Sequence, residues 1–140
     1  MSREPPAISG EEMTRLIRGS IPMSDAFHWE VRDVWRGGCL VAARFDDKHG
    51  RAGGTVSGPM LFTLADTAMY VSVLSVLGVE LLAVTADTTI HFLRKPSPAG
   101  IVAEANVLRR GKRLIVVSVA MMREDDGELV AHATGSYAIP

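Results

Sequence analysis

The feature that most constrains the fold is an apolar stretch, residues 56–77, whose single charged residue is Asp66, near its middle. The stretch is long enough to cross a bilayer, but a carboxylate at the centre of a membrane helix costs about 2.5 to 3.5 kcal/mol on insertion. Ser57 as a cap and Pro59 in the first turn predict the start of a helix, and Gly78 predicts its end. Because this helix is apolar nearly all round, we expect it to be enclosed by other structure rather than by lipid.

The remainder of the chain is dominated by strand-like runs separated by glycine, proline and charged turns. The predicted strands are residues 27–35, 40–45, 82–93, 101–108, 114–122 and 129–139. The first two should form a hairpin around Gly37, and the last four should form an antiparallel meander. Residues 9–20 predict a short amphipathic helix, with Ser9 as its cap and Glu12 as the capping-box partner. We therefore expect an α+β domain over residues 1–140, with a helical extension over residues 1–22 and a sheet of five to six strands wrapped around one helix.

Composition narrows the classes of function. The chain has 140 residues, 47% hydrophobic and 22% charged, with a formal net charge of -1 and one cysteine. A neutral balance argues against a nucleic-acid binder, whose affinity depends on phosphate neutralisation. The opening residues lack the apolar core of a secretory signal, so we expect a cytoplasmic protein. A sheet of this size also has edge strands, and pairing across a two-fold axis is a common way to protect them.

Two features of the apolar helix are candidates for chemistry. Asp66 is a carboxylate among apolar residues, which is costly unless compensated and is often functional. The start of the helix, at Gly58, offers backbone N–H groups and a positive dipole end that can polarise a carbonyl. The two residues are eight positions apart, or about 12 Å along the axis, so one small carbonyl cannot touch both within a chain. If they cooperate, Gly58 comes from one subunit and Asp66 from another, with antiparallel helices facing across a dimer axis.

A basic turn between the two central strands of the meander is the third candidate. Arg109, Arg110, Lys112 and Arg113 place four positive charges within five residues. Such a turn is commonly just solvated, but arginine forks also match phosphate oxygens, and coenzyme A is a carrier with suitable phosphates. The four histidines are far apart in sequence and one cysteine cannot complete a zinc set, so no metal site is predicted.

Four segments in order resemble a known family. They are Gly58 with Leu-Ala-Asp at 64–66, TADTTIHFLRKP at 85–96, the basic hairpin, and GELVAHATGSYAI at 127–139. Together they resemble the hotdog-fold acyl-CoA thioesterases of the phenylacetic-acid-degradation type, close to 4-hydroxybenzoyl-CoA thioesterase. The resemblance implies a hotdog fold, dimers that often pair into tetramers, and no cofactor besides the coenzyme A of the substrate.

The resemblance also implies roles for single residues. The Gly58 amide would polarise the thioester carbonyl, Asp66 of the opposite subunit would act as base or nucleophile, and Thr85 would help to place the hydrolytic water. The family usually has His-Gly-Gly at the helix start and Asn or Gln at the position of Arg51, whereas this chain has Ser57-Gly58-Pro59. Arg51 could donate to the carbonyl or pair with Asp66 and silence it. The predicted substrate contacts are Ser57, Pro59, Met60, Leu61, Met69 and Tyr70, together with the basic turn.

Two other functions fit the same residues. The first is a non-catalytic hotdog dimer that holds acyl-CoA, with Arg51 tying up Asp66. A salt bridge between these residues and a closed Gly58 would favour this binder, whereas an open cleft with Asp66 free would favour the enzyme. The second is a dehydratase acting on a hydroxyacyl thioester, which would require a histidine near the helix, and His28, His49 and His91 have no clear claim to that place.

Overall fold

The structure is a computed structural model that describes residues 3–51, 55–97 and 99–140; the side chains of Asp47 and Arg51 lie outside the description. Within these residues the chain forms two α-helices, two short 3-10 helices and eight strands. The helices are α1 (Gly10–Ser20) and α2 (Gly58–Leu77), and the 3-10 helices are Pro22–Ala26 and Asp47–His49. The strands are β1 (His28–Trp35), β2 (Gly38–Arg44), β3 (Gly50–Arg51), β4 (Thr55–Val56), β5 (Val84–Phe92), β6 (Ile101–Arg110), β7 (Leu114–Arg123) and β8 (Leu129–Ala138).

Six of the strands form one antiparallel sheet in the order β1-β2-β6-β7-β8-β5, and β3 pairs with β4 beside it. Helix α2 packs against this sheet, and most of its length is buried, which confirms the expected sheet around one apolar helix. By length and hydropathy α2 is also a candidate membrane span, but 61% of its apolar window is buried inside the fold. A core helix of a folded domain passes the same test, so burial decides against the membrane interpretation.

The local signals in the sequence give the correct element boundaries to within a few residues. Ser9 caps α1 by accepting a hydrogen bond from the Glu12 amide at 3.1 Å. Gly37 turns the β1–β2 hairpin with φ +94°, and Gly78 ends α2 with φ +80°. Both angles lie in the left-handed region that favours glycine.

The predicted four-strand meander is wrong for its first member. Strands β6, β7 and β8 do follow one another in the sheet, but β5 pairs with β8 at the far edge, while β6 pairs with β2. The segment between β5 and β6, residues 93–100, is eight residues long. At about 3.3 Å per residue, this segment is long enough to cross the three strand spacings, about 14 Å, that separate β5 from β6. A two-residue turn would instead have forced the two strands to be neighbours.

Candidate active site

Helix α2 begins at Gly58 without a side-chain cap. Ser57 holds the N-cap position with extended backbone angles, but its hydroxyl makes no capping hydrogen bond, which corrects the predicted cap. The reason is local: a cap oxygen accepts from the second or third helical N–H. Pro59 has no N–H, and the Met60 N–H is directed at the Ser57 carbonyl at 3.2 Å. The positive end of the helix is therefore left at the Gly58 amide.

The Gly58 cavity is the space that opens in front of this helix start, with a volume of about 670 Å³. Its lining residues are Thr55, Val56, Gly58, Pro59, Leu61, Phe92, Leu93, Arg94, Lys95 and Pro96. A Cβ placed on Gly58 would lie 3.3 Å from the Phe92 ring, so the glycine lets the ring approach the helix start. The absence of a Cβ also relieves the clash that disfavours helical backbone before proline. The result is a half-buried Gly58 that lines an open cavity at the helix start.

The Asp66 cavity lies two turns further along α2 and is smaller, about 210 Å³. It is lined by Ile17, Ile21, Met23, Ser24, Phe62, Thr63, Asp66, Thr67, Tyr70 and Tyr137. Asp66 is the one charged residue in this lining. Gly58 and Asp66 thus lie at two separate cavities of the same chain, as their spacing along the helix requires.

Two hydroxyl groups hold the Asp66 carboxylate. Thr85 Oγ1 and the Tyr137 hydroxyl each donate to Asp66 Oδ1 at 2.8 Å. Thr85 on β5 and Tyr137 on β8 are direct partners in the sheet, and the register shifts immediately after them, between Thr85 and Asp87. Such irregularities re-aim side chains near functional sites. Because both described donors bond Oδ1, the carboxylate is fixed in orientation and Oδ2 remains the oxygen that can hold a water.

Tyr137 is the residue that sequence reasoning missed. It is 3% exposed, and its ring stacks on Tyr70 with centroids 5.6 Å apart. Burial, and after it the negative charge of Asp66, raises the pKa of the Tyr137 hydroxyl above its usual range, so this group stays a proton donor. Its position on the last strand carried a usable signal, because a buried tyrosine hydroxyl needs a hydrogen-bond partner.

Of the four residues predicted to contact the acyl group, two line a cavity and two do not. Leu61 lines the Gly58 cavity and Tyr70 lines the Asp66 cavity. Met60 is half-buried, and Met69 is fully buried in the core; neither lines either cavity. Tyr70 donates to the Glu80 carbonyl at 2.9 Å, and burial followed by the charge of Glu80 raises its pKa.

Phe62 is a second residue that the sequence did not single out. It is 39% exposed and lines the Asp66 cavity as well as an open recess that it shares with Gly58, Pro59 and Phe92. Its place midway between positions 58 and 66 was visible in the sequence, but its exposure was not. Phe62 is therefore the side chain that stands between the amide and the carboxylate.

The basic turn is exposed and lies at the opposite end of α2 from Gly58. Arg110 Nη1 is 3.5 Å from the Val76 carbonyl, near the C-terminus of the helix, and Arg109, Lys112 and Arg113 are exposed beside it. Val76 is eighteen residues from Gly58, about 27 Å along the axis. Within one chain the structure does not bring this turn to the Gly58 amide.

Two cations line the Gly58 cavity, at positions of the family segment 85–96 for which the sequence predicted no role. Arg94 and Lys95 follow Leu93, the first residue after β5, and both are exposed. Arg94 donates to the Leu129 carbonyl at 2.9 Å and lies 3.6 Å from the Glu128 carboxylate. The cavity that Gly58 lines is therefore also the one with positive charge.

Arg51 and the histidines bear on the alternative functions. The Arg51 backbone pairs with Thr55, but its side chain lies outside the described residues, so both of its predicted roles stay predictions. His49 is buried, with Nε2 2.5 Å from the Ala26 carbonyl. Neither His49, His28 nor His91 lines the Gly58 or the Asp66 cavity. In the described ranges no group of three or more His, Cys, Asp or Glu side chains is arranged to hold a metal.

Comparison with known proteins gives the same fold and a family. A solved structure from Silicibacter sp. TM1040, provisionally named a thioesterase, is 29% identical with a TM-score of 0.87, over 99% of this chain and 96% of that one. A variant of the phenylacetic acid degradation protein PaaI from Thermus thermophilus is 25% identical with a TM-score of 0.75, over 85% of this chain and 99% of that one.

A third structure shares the fold at lower identity and was solved with a ligand. It is a hypothetical thioesterase from Streptococcus pneumoniae with coenzyme A, 19% identical with a TM-score of 0.77, over 94% of this chain and 97% of that one. The family profile named Thioesterase superfamily matches residues 53–130 of this chain, which include Gly58, Asp66 and Thr85. These matches confirm the hotdog thioesterase resemblance, and the chain belongs to the Thioesterase superfamily.

Proposed function

We propose that this thioesterase hydrolyses acyl-CoA at sites shared between two copies of the chain. The observation that carries the proposal is the separation of the two chemical groups. The Gly58 amide and the Asp66 carboxylate lie at different cavities, eight residues apart on one helix. One carbonyl reaches both only if the amide of one copy faces the carboxylate of the other. The predicted cytoplasmic location stays a prediction.

Antiparallel pairing of two α2 helices puts the groups together. If the two-fold axis passes beside Phe62, midway between positions 58 and 66, each Gly58 lies opposite the Asp66 of the second copy. The exposed edge of the sheet supports the same arrangement. Strand β5 pairs with β8 on one side, and Val84 and Phe92 at its ends are more than half exposed. A long edge strand of this kind is protected by pairing with another strand. Whether two dimers then form a tetramer stays a prediction.

The chemistry needs an electrophilic carbonyl and an activated water. The Gly58 N–H donates to the thioester oxygen, where negative charge develops as water adds. Asp66, held by Thr85 and Tyr137, takes a proton from that water at Oδ2 while the water oxygen bonds to the carbonyl carbon. The C–S bond then breaks and the sulfur leaves with the proton from Asp66, giving free acid and coenzyme A. Asp66 in the same position can instead attack the thioester carbon directly and form an acyl anhydride, which water then hydrolyses. Only this second route can place an oxygen atom from water in the Asp66 side chain.

Coenzyme A is the carrier that fits the charges on the Gly58 side. Arg94 and Lys95 lie at the cavity itself. In the antiparallel pair, Val76 of the second copy falls about 15 Å beyond Gly58, because it lies fourteen residues past the axis at position 62. The basic turn of the second copy, next to that residue, comes to the same side. The Streptococcus neighbour with coenzyme A supports a fold able to hold this carrier.

The competing binder is less well supported. Its structural criterion was a closed Gly58 together with a salt bridge between Arg51 and Asp66. A cavity of about 670 Å³ opens at Gly58 instead, which favours the enzyme, while the Arg51 side chain lies outside the described residues and its salt bridge stays a prediction.

Thiol release from a panel of esters tests the proposal. Acetyl-, phenylacetyl-, octanoyl- and palmitoyl-CoA would be assayed with the purified protein, alongside the N-acetylcysteamine ester of the best acyl group. We expect turnover of at least one CoA ester, with kcat/KM at least about tenfold above that of the truncated ester, because phosphate contacts contribute binding. No turnover of any ester, or equal kcat/KM for both carriers, would contradict it.

A further inference from the structure

The wall of the Asp66 cavity that faces α2 comes from the N-terminal part of the chain. Ile17 belongs to α1, Ile21 follows it, and Met23 and Ser24 belong to the next 3-10 helix. The family profile begins at residue 53, so none of these four residues lies within the part of the chain that defines the superfamily. The wall is therefore built by residues that precede the range matched by the family profile.

This segment is anchored firmly on its inner side. Met13 and Ile17 of α1 are buried in the core, at 0% and 2% exposure. The buried Trp29 indole donates to the Ser24 carbonyl at 2.8 Å, and Arg18 Nη2 donates to the Trp29 carbonyl at 3.3 Å. A main chain held in this way keeps the wall at a fixed distance from Asp66.

The side of the segment at the cavity is apolar and uncovered. Met23 is 66% exposed and Ile21 is 40% exposed, and both line the cavity beside Asp66. The segment contributes no charged side chain to the lining. This contrasts with the Gly58 cavity, which carries Arg94 and Lys95. A thioester has the same polarity, with an anionic carrier on one side of the carbonyl and an acyl group on the other.

We infer that Ile21 and Met23 form the acyl-specificity wall of the enzyme, and that the acyl group lies in the Asp66 cavity while the carrier follows the Gly58 cavity of the second copy. The inference rests on the proposed function and adds the substrate class. A dry cavity of about 150 Å³ holds one benzene ring. At about 210 Å³, the Asp66 cavity takes a single ring or a medium-length chain, and long chains are excluded by the wall.

Changing the size of residue 23 tests this assignment. Met23→Trp fills the cavity. We expect kcat/KM for phenylacetyl- and octanoyl-CoA to fall at least about tenfold relative to acetyl-CoA, which is the discrimination that the shape of an apolar pocket typically provides. Met23→Ala enlarges it, and palmitoyl-CoA should gain at least about fivefold relative to octanoyl-CoA. Because Met23 is mostly exposed, both variants should fold. If Met23→Trp fails to fold, Ile21→Ala tests the wall by a second enlargement of the cavity.

The matched control is Leu108→Trp, a comparably exposed apolar residue on β6 that lines neither cavity. It should leave the ratios between esters unchanged. The inference would be overturned if the kcat/KM ratios between esters stay constant in the Met23 and Ile21 variants, or if they change equally in Leu108→Trp. The proposed hydrolysis would stand in either case. Absence of hydrolysis in the wild type on every ester would instead refute the proposed function.

Discussion

The two cavities along α2 are opposites. The Gly58 cavity is wide, carries Arg94 and Lys95, and offers a backbone amide with no side-chain cap. The Asp66 cavity is about a third as large, is lined by apolar, aromatic and hydroxyl-bearing residues, and offers a carboxylate as its one charged group. An amide can polarise a carbonyl but cannot accept a proton, and a carboxylate can do the reverse. Under the proposed function, each cavity therefore supplies one of the two groups that hydrolysis needs.

The difference between the cavities arises from backbone chemistry at one end and from sheet pairing at the other. Pro59 has no N–H and the Met60 N–H bonds the Ser57 carbonyl, so the Ser57 hydroxyl caps neither. Eight residues after Gly58, the β5–β8 pair delivers the Thr85 and Tyr137 hydroxyls to the same carboxylate oxygen. The Gly58 amide is available because no side chain caps the helix, whereas the Asp66 carboxylate is oriented by two hydrogen bonds.

The largest effect is expected at the carboxylate. Asp66→Asn keeps the size of the side chain and an oxygen that accepts from Thr85 and Tyr137, but it cannot take a proton. We expect kcat to fall by about 10² to 10⁴, the usual contribution of a general base, with an unchanged melting temperature. Asp33→Asn, at an exposed aspartate on β1 that lines neither cavity, is the control and should keep wild-type kcat. Wild-type turnover in Asp66→Asn would remove the carboxylate from the mechanism.

A slightly smaller loss is expected at the amide. Gly58→Pro removes the N–H at a position where proline suits a helix start, and the extended Ser57 before it is compatible. Loss of one oxyanion donor costs about 10² to 10³ in kcat, with a smaller change in KM. Gly58→Ala is the matched comparison, because it keeps the amide but adds the same Cβ as proline, before Pro59 and 3.3 Å from the Phe92 ring. Equal kcat values for Gly58→Pro and Gly58→Ala would show that the amide is not the donor.

Tyr137→Phe tests whether Tyr137 only orients the Asp66 carboxylate or also acts on the substrate. It deletes one of two hydroxyl donors but keeps the ring that stacks on Tyr70. We expect kcat to fall about tenfold, equivalent to about 1.4 kcal/mol, with KM nearly unchanged. A fall as large as that of Asp66→Asn would instead place Tyr137 among the groups that act on the substrate.

The same variant should change how stability depends on pH. Tyrosine in an unfolded chain ionises near pH 10, whereas the raised pKa of Tyr137 keeps it protonated in the fold. Its contribution is therefore complete below about pH 10 and is lost as pH rises, at up to about 1.4 kcal/mol per pH unit. Urea unfolding at pH 8 and pH 11 should show a smaller loss in Tyr137→Phe than in the wild type. Cys39, whose pKa burial raises to about 12, contributes to both proteins equally and cancels in the difference.

The smallest effect is expected at Ser24. Its side chain is the one in the described part of the chain with a buried oxygen that has no hydrogen-bond partner. Ser24→Ala removes this unpaired hydroxyl and leaves the backbone carbonyl that holds Trp29. We expect the free energy of unfolding of the ligand-free protein to rise by up to about 1 kcal/mol, measured by urea denaturation. A loss of stability would indicate that the hydroxyl is satisfied by a bound water.

Features that depend on neighbouring residues could be predicted from the sequence. The bounds of α2 follow from Pro59 and Gly78, and the separation of Gly58 from Asp66 follows from helix geometry alone. Features that depend on pairing between distant segments could not. The place of β5 beside β8 is decided by the whole sheet, and with it the contact of Thr85 and Tyr137 with Asp66. Ser57 is an intermediate case, because the missing N–H of Pro59 was visible in the sequence and argues against the cap.

The most direct test of a shared site is complementation between two inactive variants. Asp66→Asn and Gly58→Pro would be co-expressed with different affinity tags, and the mixed dimer isolated by purification on both tags in succession. One site of that dimer then has the intact amide of the first chain and the intact carboxylate of the second, while the other site has neither. The account predicts about half of the wild-type kcat per dimer, from two chains that are each inactive alone. A mixed dimer no more active than its parents, or no mixed dimer at all, would contradict it.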